Sequence, residues 1–268
     1  MPEGDTIFRT AASLRRWIEG RVVTAATSAA GGPPVQRVVG CKVEAVETRG
    51  KHLLVRFSSG DVLHTHMRMT GAWHVYPAGQ QWRRPAWQAR VVLTCGDRLA
   101  VCFNAPVVEL LAPGGVQMHG AIRELGPDVL AADFDVDEVL RRAARRPPDY
   151  TLGELLLDQQ VLSGLGNIYR CEALFAAGHN PWTPRTAVDD AALRELVVTG
   201  ARLIRANVAR GTTMDREFQV GVAGPAAPWV YRRAGRACRR CHSTIARGHL
   251  GAQPRSVYWC PGCQPEGQ

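Results

Sequence analysis

The chain has 268 residues and is 46% hydrophobic, enough to bury one large core or two ordinary ones, which disfavours a disordered chain. A net charge of +9 favours a polyanionic partner, nucleic acid first and a membrane surface second. Apolar runs such as LLVRF and ELLLD are too short to span a bilayer and no secretory signal pattern opens the chain, so a cytoplasmic, nucleoid-associated location is expected, with no membrane.

The chain opens MPEGDT. Helical spacing of Ile7, Phe8, Ala11, Leu14 and Ile18 predicts a helix from Asp5 to Ile18, capped by Asp5 or Thr6 and stopped at Gly20. Proline at position 2 permits removal of Met1, which would leave a secondary amine beside Glu3, tied to that helix. From Arg21 to about Leu111 the pattern turns to short β-rich pieces: RVVTAAT, CKVEAVET, HLLVRFS, DVLHTHM, AWHVYP, ARVVLTC and LAVCFN, with SSGD and CGDR as hairpin turns. About seven such strands predict an antiparallel sandwich or barrel. From about Asp133 the period is helical, with candidates at 135–145, 151–162, 167–177 and 188–208 and a stiff RRPPDY connection. The expected division is a β domain over 1–118, a linker over 119–132, a helical domain over 133–231 and a small Arg- and Cys-rich module over 232–268.

Arginine supplies nearly all of the positive charge. A GC-rich genome would produce the same excess, so charge alone does not decide the partner. Only Lys42 and Lys51 are lysines. Lysine can give up its proton when its surroundings lower its pKa, which arginine does not do. Lys51 lies at the start of a strand after a glycine-containing turn, where it is either a cleft residue or a solvated turn lysine. Four cysteines, Cys41, Cys95, Cys102 and Cys171, sit in apolar surroundings and read as buried small hydrophobes. The other four, Cys238, Cys241, Cys260 and Cys263, follow C-x2-C-x18-C-x2-C, the spacing of a closed four-thiolate Zn²⁺ site that is structural rather than catalytic. Two disulfides are the alternative, disfavoured in a cytosolic chain. The intervening residues should form a small loop or hairpin, with Arg255 near its turn, either an ordinary surface arginine or a cation aimed at phosphate.

The stretch LLLDQQVLSGLGNIYRCEALF joins two helical patterns at SGLGN. Gly164 and Gly166 permit positive φ, and Asn167 is a candidate N-cap whose helix start could bind phosphate. An ordinary helical hairpin is the alternative. Glu172, in the same helix, could orient the N-terminus or be a surface charge. Met69, in the turn after DVLHTHM, is either core-lining or an apolar wedge filling the gap left by an extruded base. An unprotonated prolyl amine can attack C1′ of a deoxyribose, expel the base and form an imine that acidifies the C2′ proton, so that the 3′ and then the 5′ phosphate can be eliminated. Glu3 could supply the acid, and Lys51, Asn167 and Arg255 the donors.

PEG after Met1, RGKHLL, the stretch around SGLGN and PRSVYWCPGCQ resemble, in this order, the formamidopyrimidine-DNA glycosylase/endonuclease VIII family of base-excision repair enzymes, over essentially the whole chain. The resemblance implies an α+β fold: a two-layer antiparallel β-sandwich with an N-terminal helix, then a helix–two-turn–helix domain with a zinc finger, and damaged DNA in a basic cleft. It implies Pro2 as Schiff-base nucleophile, Glu3 as acid/base, Lys51 as proton donor for β-elimination, and Arg255 for δ-elimination and phosphate binding. Asn167, Arg68, Met69 and Tyr169 would contact DNA, Glu172 would support the terminal proline, and a monomer is expected. PEGDT looks like the endonuclease VIII branch, which favours oxidised pyrimidines, and the mixed features fit an actinobacterial clade. Arg68-Met69-Thr70 stands where that branch often has Gln-Leu-Tyr, and Met69 matches the formamidopyrimidine branch. The Arg and Phe which that second branch places near FNAPVV (103–108) are absent. Single-stranded or bubble DNA is a further expected substrate. The alternatives are excision of oxidised purines and a non-catalytic zinc-dependent DNA-binding protein.

Overall fold

Helix α1 (Gly4–Ile18) buries Ile7, Ala11, Leu14 and Ile18, the stripe that a 3.6-residue period lays on one face. It starts one residue earlier than Asp5. Glu3 is the N-cap, and its carbonyl accepts the N–H groups of Thr6 and Ile7 at 2.9 and 3.1 Å. Neither Asp5 nor Thr6 caps the helix: Asp5 is buried in the first turn and pairs with Arg9 at 3.0 Å.

The structure, a computed structural model, describes residues 2–209, 216, 218, 227–252 and 254–266. It divides into two compact units, Met1–Glu124 and Leu125–Gln268.

The first unit holds β1 (Ala25–Ser28), β2 (Val43–Arg49), β3 (His52–Phe57), β4 (Val62–His66), β5 (Ala72–Pro77), β6 (Ala89–Cys95), β7 (Arg98–Phe103) and β8 (Val107–Leu111). They form two antiparallel four-stranded sheets, ordered β2-β3-β4-β8 and β1-β6-β7-β5. Period-two alternation sends Leu53, Val55 and Phe57 of one sheet, and Ala100 and Cys102 of the other, into a shared core with the apolar face of α1. The expected sandwich is therefore the observed one. Its eighth strand, β8, falls outside the seven pieces predicted. Pro106 and Pro113 bracket VVELLA and make it look like a loop, yet both prolines fall outside the paired residues of what is an edge strand, where proline is tolerated. Two helical turns follow, α2 (Gly115–Met118) and α3 (Gly120–Arg123), the second inside the stretch expected as linker. Val116 and Ile122 from these turns cover Leu54 and Val62 on the outer face of the sheet.

One glycine in this unit is fixed by close approach. A Cβ on Gly71 would lie 2.7 Å from both Cα and O of Met67 and 3.0 Å from Cα of Ala105. All three are backbone atoms, so a side chain cannot rotate out of the way. Gly71→Ala should lower unfolding free energy by about 1–3 kcal/mol, read as a lower denaturant midpoint. An unchanged midpoint would show that the β4–β5 turn gives way freely.

The second unit contains α4 (Val136–Ala144), α5 (Leu152–Leu155), α6 (Asn167–Ala177), α7 (Asp190–Ala209) and the hairpin β9 (Ala246–Leu250)–β10 (Arg255–Trp259). Asp135 caps α4, and Thr151 with Glu154 forms a capping box on α5. Only 152–155 of the helix expected over 151–162 forms. Beyond it, Ser163 N–H donates to Pro127 O at 2.9 Å and Ser163 O accepts from Val129 N–H at 3.1 Å, so tertiary pairing takes the backbone groups that a longer helix needs. The core runs from Leu152, Leu155 and Leu156 through Leu174, Phe175 and Leu196 to Ile245, Leu250 and Val257 of the terminal module. Each fully buried aliphatic or Phe side chain contributes about 1.5–3 kcal/mol. The terminal module thus shares the helical core rather than forming its own. Among the described residues, no helix is long and apolar enough to cross a membrane.

Candidate functional site

In the first unit, Pro2 is half-buried immediately before Glu3, which is only 1% exposed at the start of α1. Gly50 and Lys51 form the two-residue loop between β2 and β3, closed by the Arg49–His52 pair. So Lys51 stands at a hairpin tip, a short rigid connection. Burial, then the positive charges of Lys51 and Arg68, hold His66 down at about 4. Arg68 therefore lies in the same electrostatic neighbourhood as Lys51. Arg68 has φ +43°, a left-handed conformation uncommon outside glycine. Thr70 anchors the turn by donating its hydroxyl to Asn104 O at 3.0 Å. Met67 points into the core, whereas Met69 is 62% exposed and does not line it.

In the second unit, Gly166 and not Asn167 is the N-cap of α6, and no side chain caps that helix. Asn167 is the first helical residue. One N–H of its Nδ2 donates to Ser256 O at 2.8 Å, and Oδ1 accepts from Arg170. Only Gly164 of the two turn glycines has positive φ, +103°, and its Cβ position lies 2.9 Å from Val129 Cγ2. Arg170 Nη2 also reaches Ser256 O, at 3.1 Å. The start of α6 is thereby locked to β10, whose first residue is Arg255. Arg255 is exposed and makes no ion pair among the described residues.

Glu172 is not a surface charge. It is fully buried, and its two oxygens accept the backbone N–H groups of Trp229 (2.7 Å), Val230 (3.1 Å) and Tyr231 (2.9 Å). Burial raises its carboxyl pKa, against the opposing pull of those three donors and Arg233. Tyr169 is fully buried too, edge-on to Phe218 with Arg216 over its ring. It presents no exposed side-chain surface to a nucleic acid, unlike Arg68 and Met69.

The four grouped cysteines converge. Cys238 Sγ lies 3.9 Å from Cys263 Sγ, Cys241 Sγ lies 3.3 Å from Cys260 Sγ, and all four sulfurs fall within 4.8 Å of one another. Those separations are far above the ~2.05 Å of a disulfide. Hydrogen bonds from Ser243 pull the Cys241 thiol down to about 6, while burial pushes Cys260 up to about 11. The cluster can hold a metal ion.

Two family models match, the formamidopyrimidine-DNA glycosylase N-terminal domain over residues 1–106 and the H2TH domain of the same enzymes over 125–218. The chain is 38% identical to "Probable endonuclease 8 2" of Streptomyces coelicolor, covering 98% of this chain and 94% of that one. It belongs to the formamidopyrimidine-DNA glycosylase/endonuclease 8 family. Identity to "DNA-(apurinic or apyrimidinic site) lyase Nei2" of Mycolicibacterium smegmatis is 37%, over 98% and 99% of the two chains. Identity to Escherichia coli "Endonuclease 8" is 32%, over 98% and 100%. Lactococcus lactis Fpg in complex with DNA containing N7-benzyl-Fapy-dG shares the fold, with a TM-score of 0.83 at 19% identity, over 99% and 100% of the chains.

Two residues of this family member escaped the sequence reading. Arg170 ties Asn167 to β10, and its signal was its place one helical turn after Asn167 in a segment otherwise apolar. His66 sits in the field of Lys51 and Arg68, and its signal was the H-x-H alternation that puts His64 and His66 on one face of β4.

Proposed function

We propose that this protein is a bifunctional DNA glycosylase and AP lyase of base excision repair that favours oxidised pyrimidines. The observation that carries the reading is 32–38% identity across 98% of the chain to proteins named as endonuclease 8 or as an AP-site lyase. Damaged DNA is the partner, and the exposed arginines supply the sequence-independent attraction to its phosphates.

In this reading Met1 is removed and Pro2 is the nucleophile. The adjoining start of α1 is the positive end of a helix dipole, which disfavours the protonated amine. The Pro2 nitrogen bonds to C1′, the N-glycosidic bond breaks and the base leaves with a proton. Glu3 protonates the sugar ring oxygen as the ring opens to the iminium. Loss of the C2′ proton then breaks the C3′–O bond, with Lys51 as proton donor, and a second elimination assisted by Arg255 releases the 5′ phosphate. Hydrolysis of the imine frees Pro2. Asn167 and Arg255 bind phosphate, Arg68 and Met69 occupy the space of the extruded base, and Tyr169 and Glu172 act from buried positions as supports. The four cysteines hold one structural Zn²⁺. A tetrahedral site with Zn–S bonds of about 2.3 Å separates its sulfurs by about 3.8 Å, and the 3.3 and 3.9 Å pairs bracket that distance.

Borohydride reduction in the presence of abasic-site DNA should trap wild-type protein covalently, and Pro2→Gly, which replaces the ring amine with a primary amine, should trap less. Equal trapping by both proteins, or by neither, would refute the assignment. Competition between dihydrouracil and 8-oxoguanine substrates, in duplex and single strand, reads out the lesion preference.

A further inference from the structure

Outside the residues assigned above, one face of the β2-β3-β4-β8 sheet carries four imidazoles and a carboxylate. His64 and Glu109 are directly opposed in the β4–β8 register, and His52 opposes His66 in β3–β4. His119, the residue between α2 and α3, comes over them from the covering segment. His64 Nδ1 and His119 Nε2 converge on one oxygen, Glu109 Oε2, at 2.9 and 3.0 Å.

We propose that His64, Glu109 and His119 form a second metal site, taking a divalent transition-metal ion. Three donors from three separate elements fall within 4.8 Å of one another. A tetrahedral ion with bonds of about 2.0–2.1 Å needs its ligand atoms about 3.3–3.4 Å apart, so the two contacts to Glu109 Oε2, at 2.9 and 3.0 Å, have only to open by a few tenths of an ångström. Two nitrogens among three donors select zinc-like ions over Mg²⁺ or Ca²⁺, which take oxygen shells. Three protein ligands leave a fourth position, and Glu109, 46% exposed at its side chain, gives the ion a way in.

The surroundings have the form that metal sites require. The other ring nitrogen of His64, Nε2, lies 2.8 Å from His52 Nδ1, an outer partner that fixes the tautomer and ring orientation. His64 is 1% exposed, so its ring has no freedom to swing away. Val116 and Ile122 on either side of His119 are anchored against Leu54 and Val62, which sets the backbone of the third ligand. An ion here would staple the 115–123 segment to the sheet. Its donors are entirely separate from the four cysteines.

The test is metal content of the full-length chain, a readout independent of glycosylase activity. After loading with Zn²⁺ and dialysis, wild type should retain two ions per chain, while Glu109→Gln and His119→Ala should each retain one. Co²⁺ loading gives a second readout on unaltered protein: one equivalent should show thiolate charge-transfer absorption, and the next only weaker d–d bands of nitrogen and oxygen ligands. Retention of a single ion by wild type, equal retention by wild type and both folded variants, or a Co²⁺ spectrum complete at one equivalent would overturn the proposal.

Discussion

Cys260→Ser is expected to loosen the β9–β10 hairpin and weaken binding to abasic-site DNA by about 10- to 100-fold, with the β-sandwich unit still folded. Metal binding by four thiolates contributes about 10–16 kcal/mol in zinc-finger peptides, comparable with the whole stability of a domain at about 5–15 kcal/mol. Cys260 is fully buried, and its N–H is held by Gln264 Oε1 at 2.9 Å, whose Nε2 donates to His179 O at 2.7 Å. Loss of the proposed Zn²⁺ would thus loosen a knuckle that is itself tied to the end of α6. Ile245, Leu250 and Val257 would still favour docking in the helical core, so the expected state is a loosened module on an intact helical unit rather than a wholly unfolded chain. Asn167 and Arg170 would then lose the Ser256 carbonyl that locks α6 to the strand carrying Arg255. A charge-assisted phosphate contact contributes about 1.5–3 kcal/mol, which sets the affinity change given above. Limited proteolysis should cut the variant within 237–266 while 2–124 stays protected, and fluorescence anisotropy should report the lost affinity. A chelator should reproduce both effects in wild type. Full protection and full affinity without metal would show that apolar packing alone holds the hairpin.

What could be read from sequence and what could not divide along physical lines. Local signals were sufficient where one pattern dominates: α1 from its 3.6-residue stripe, β3 and β7 from short β-rich runs between turn signals, the cysteine cluster from its spacing. Wherever a distant partner takes a polar group, the local signal misled. Asn167 has N-cap chemistry, yet Ser256 O and Arg170, distant in sequence and one turn away respectively, use its amide, and Gly166 takes the cap. The helix expected over 151–162 stops at Leu155, and the backbone of Ser163 just beyond that span pairs with Pro127 and Val129. Glu172 could be narrowed only to a residue that orients the N-terminus or a surface charge, because nothing in sequence shows that residues 229–231 turn three amides toward it. The histidine face of β4 follows the same rule: alternation puts His64 and His66 together, but only sheet register adds His52 and Glu109.

Glu172→Ala should be the most destabilising single substitution outside the cysteine cluster. It strands two buried N–H donors, those of Trp229 and Val230, and the part-buried one of Tyr231. Each unsatisfied donor costs about 1–3 kcal/mol, so the loss is about 3–9 kcal/mol against a total of about 5–15. Glu172→Gln is the sharper probe. Its one oxygen can still face Val230 and Tyr231, but its NH₂ then meets the Trp229 N–H, donor against donor, at a cost of roughly 2 kcal/mol. The two proteins should also differ in pH dependence. Burial raises the Glu172 pKa above its ordinary 4.5, so within that window the folded state holds the proton more tightly than the unfolded state does. The contribution of this carboxyl is therefore fully present below 4.5 and declines as pH rises through the folded-state value, whereas glutamine carries no such slope. The stability advantage of wild type over Glu172→Gln should accordingly shrink as pH rises above 4.5. Trp229, stacked on Phe175 at 5.6 Å, supplies the fluorescence signal for denaturant titrations across that range. An advantage that grows with pH would mean that the three amides outweigh desolvation and that Glu172 is held as a carboxylate.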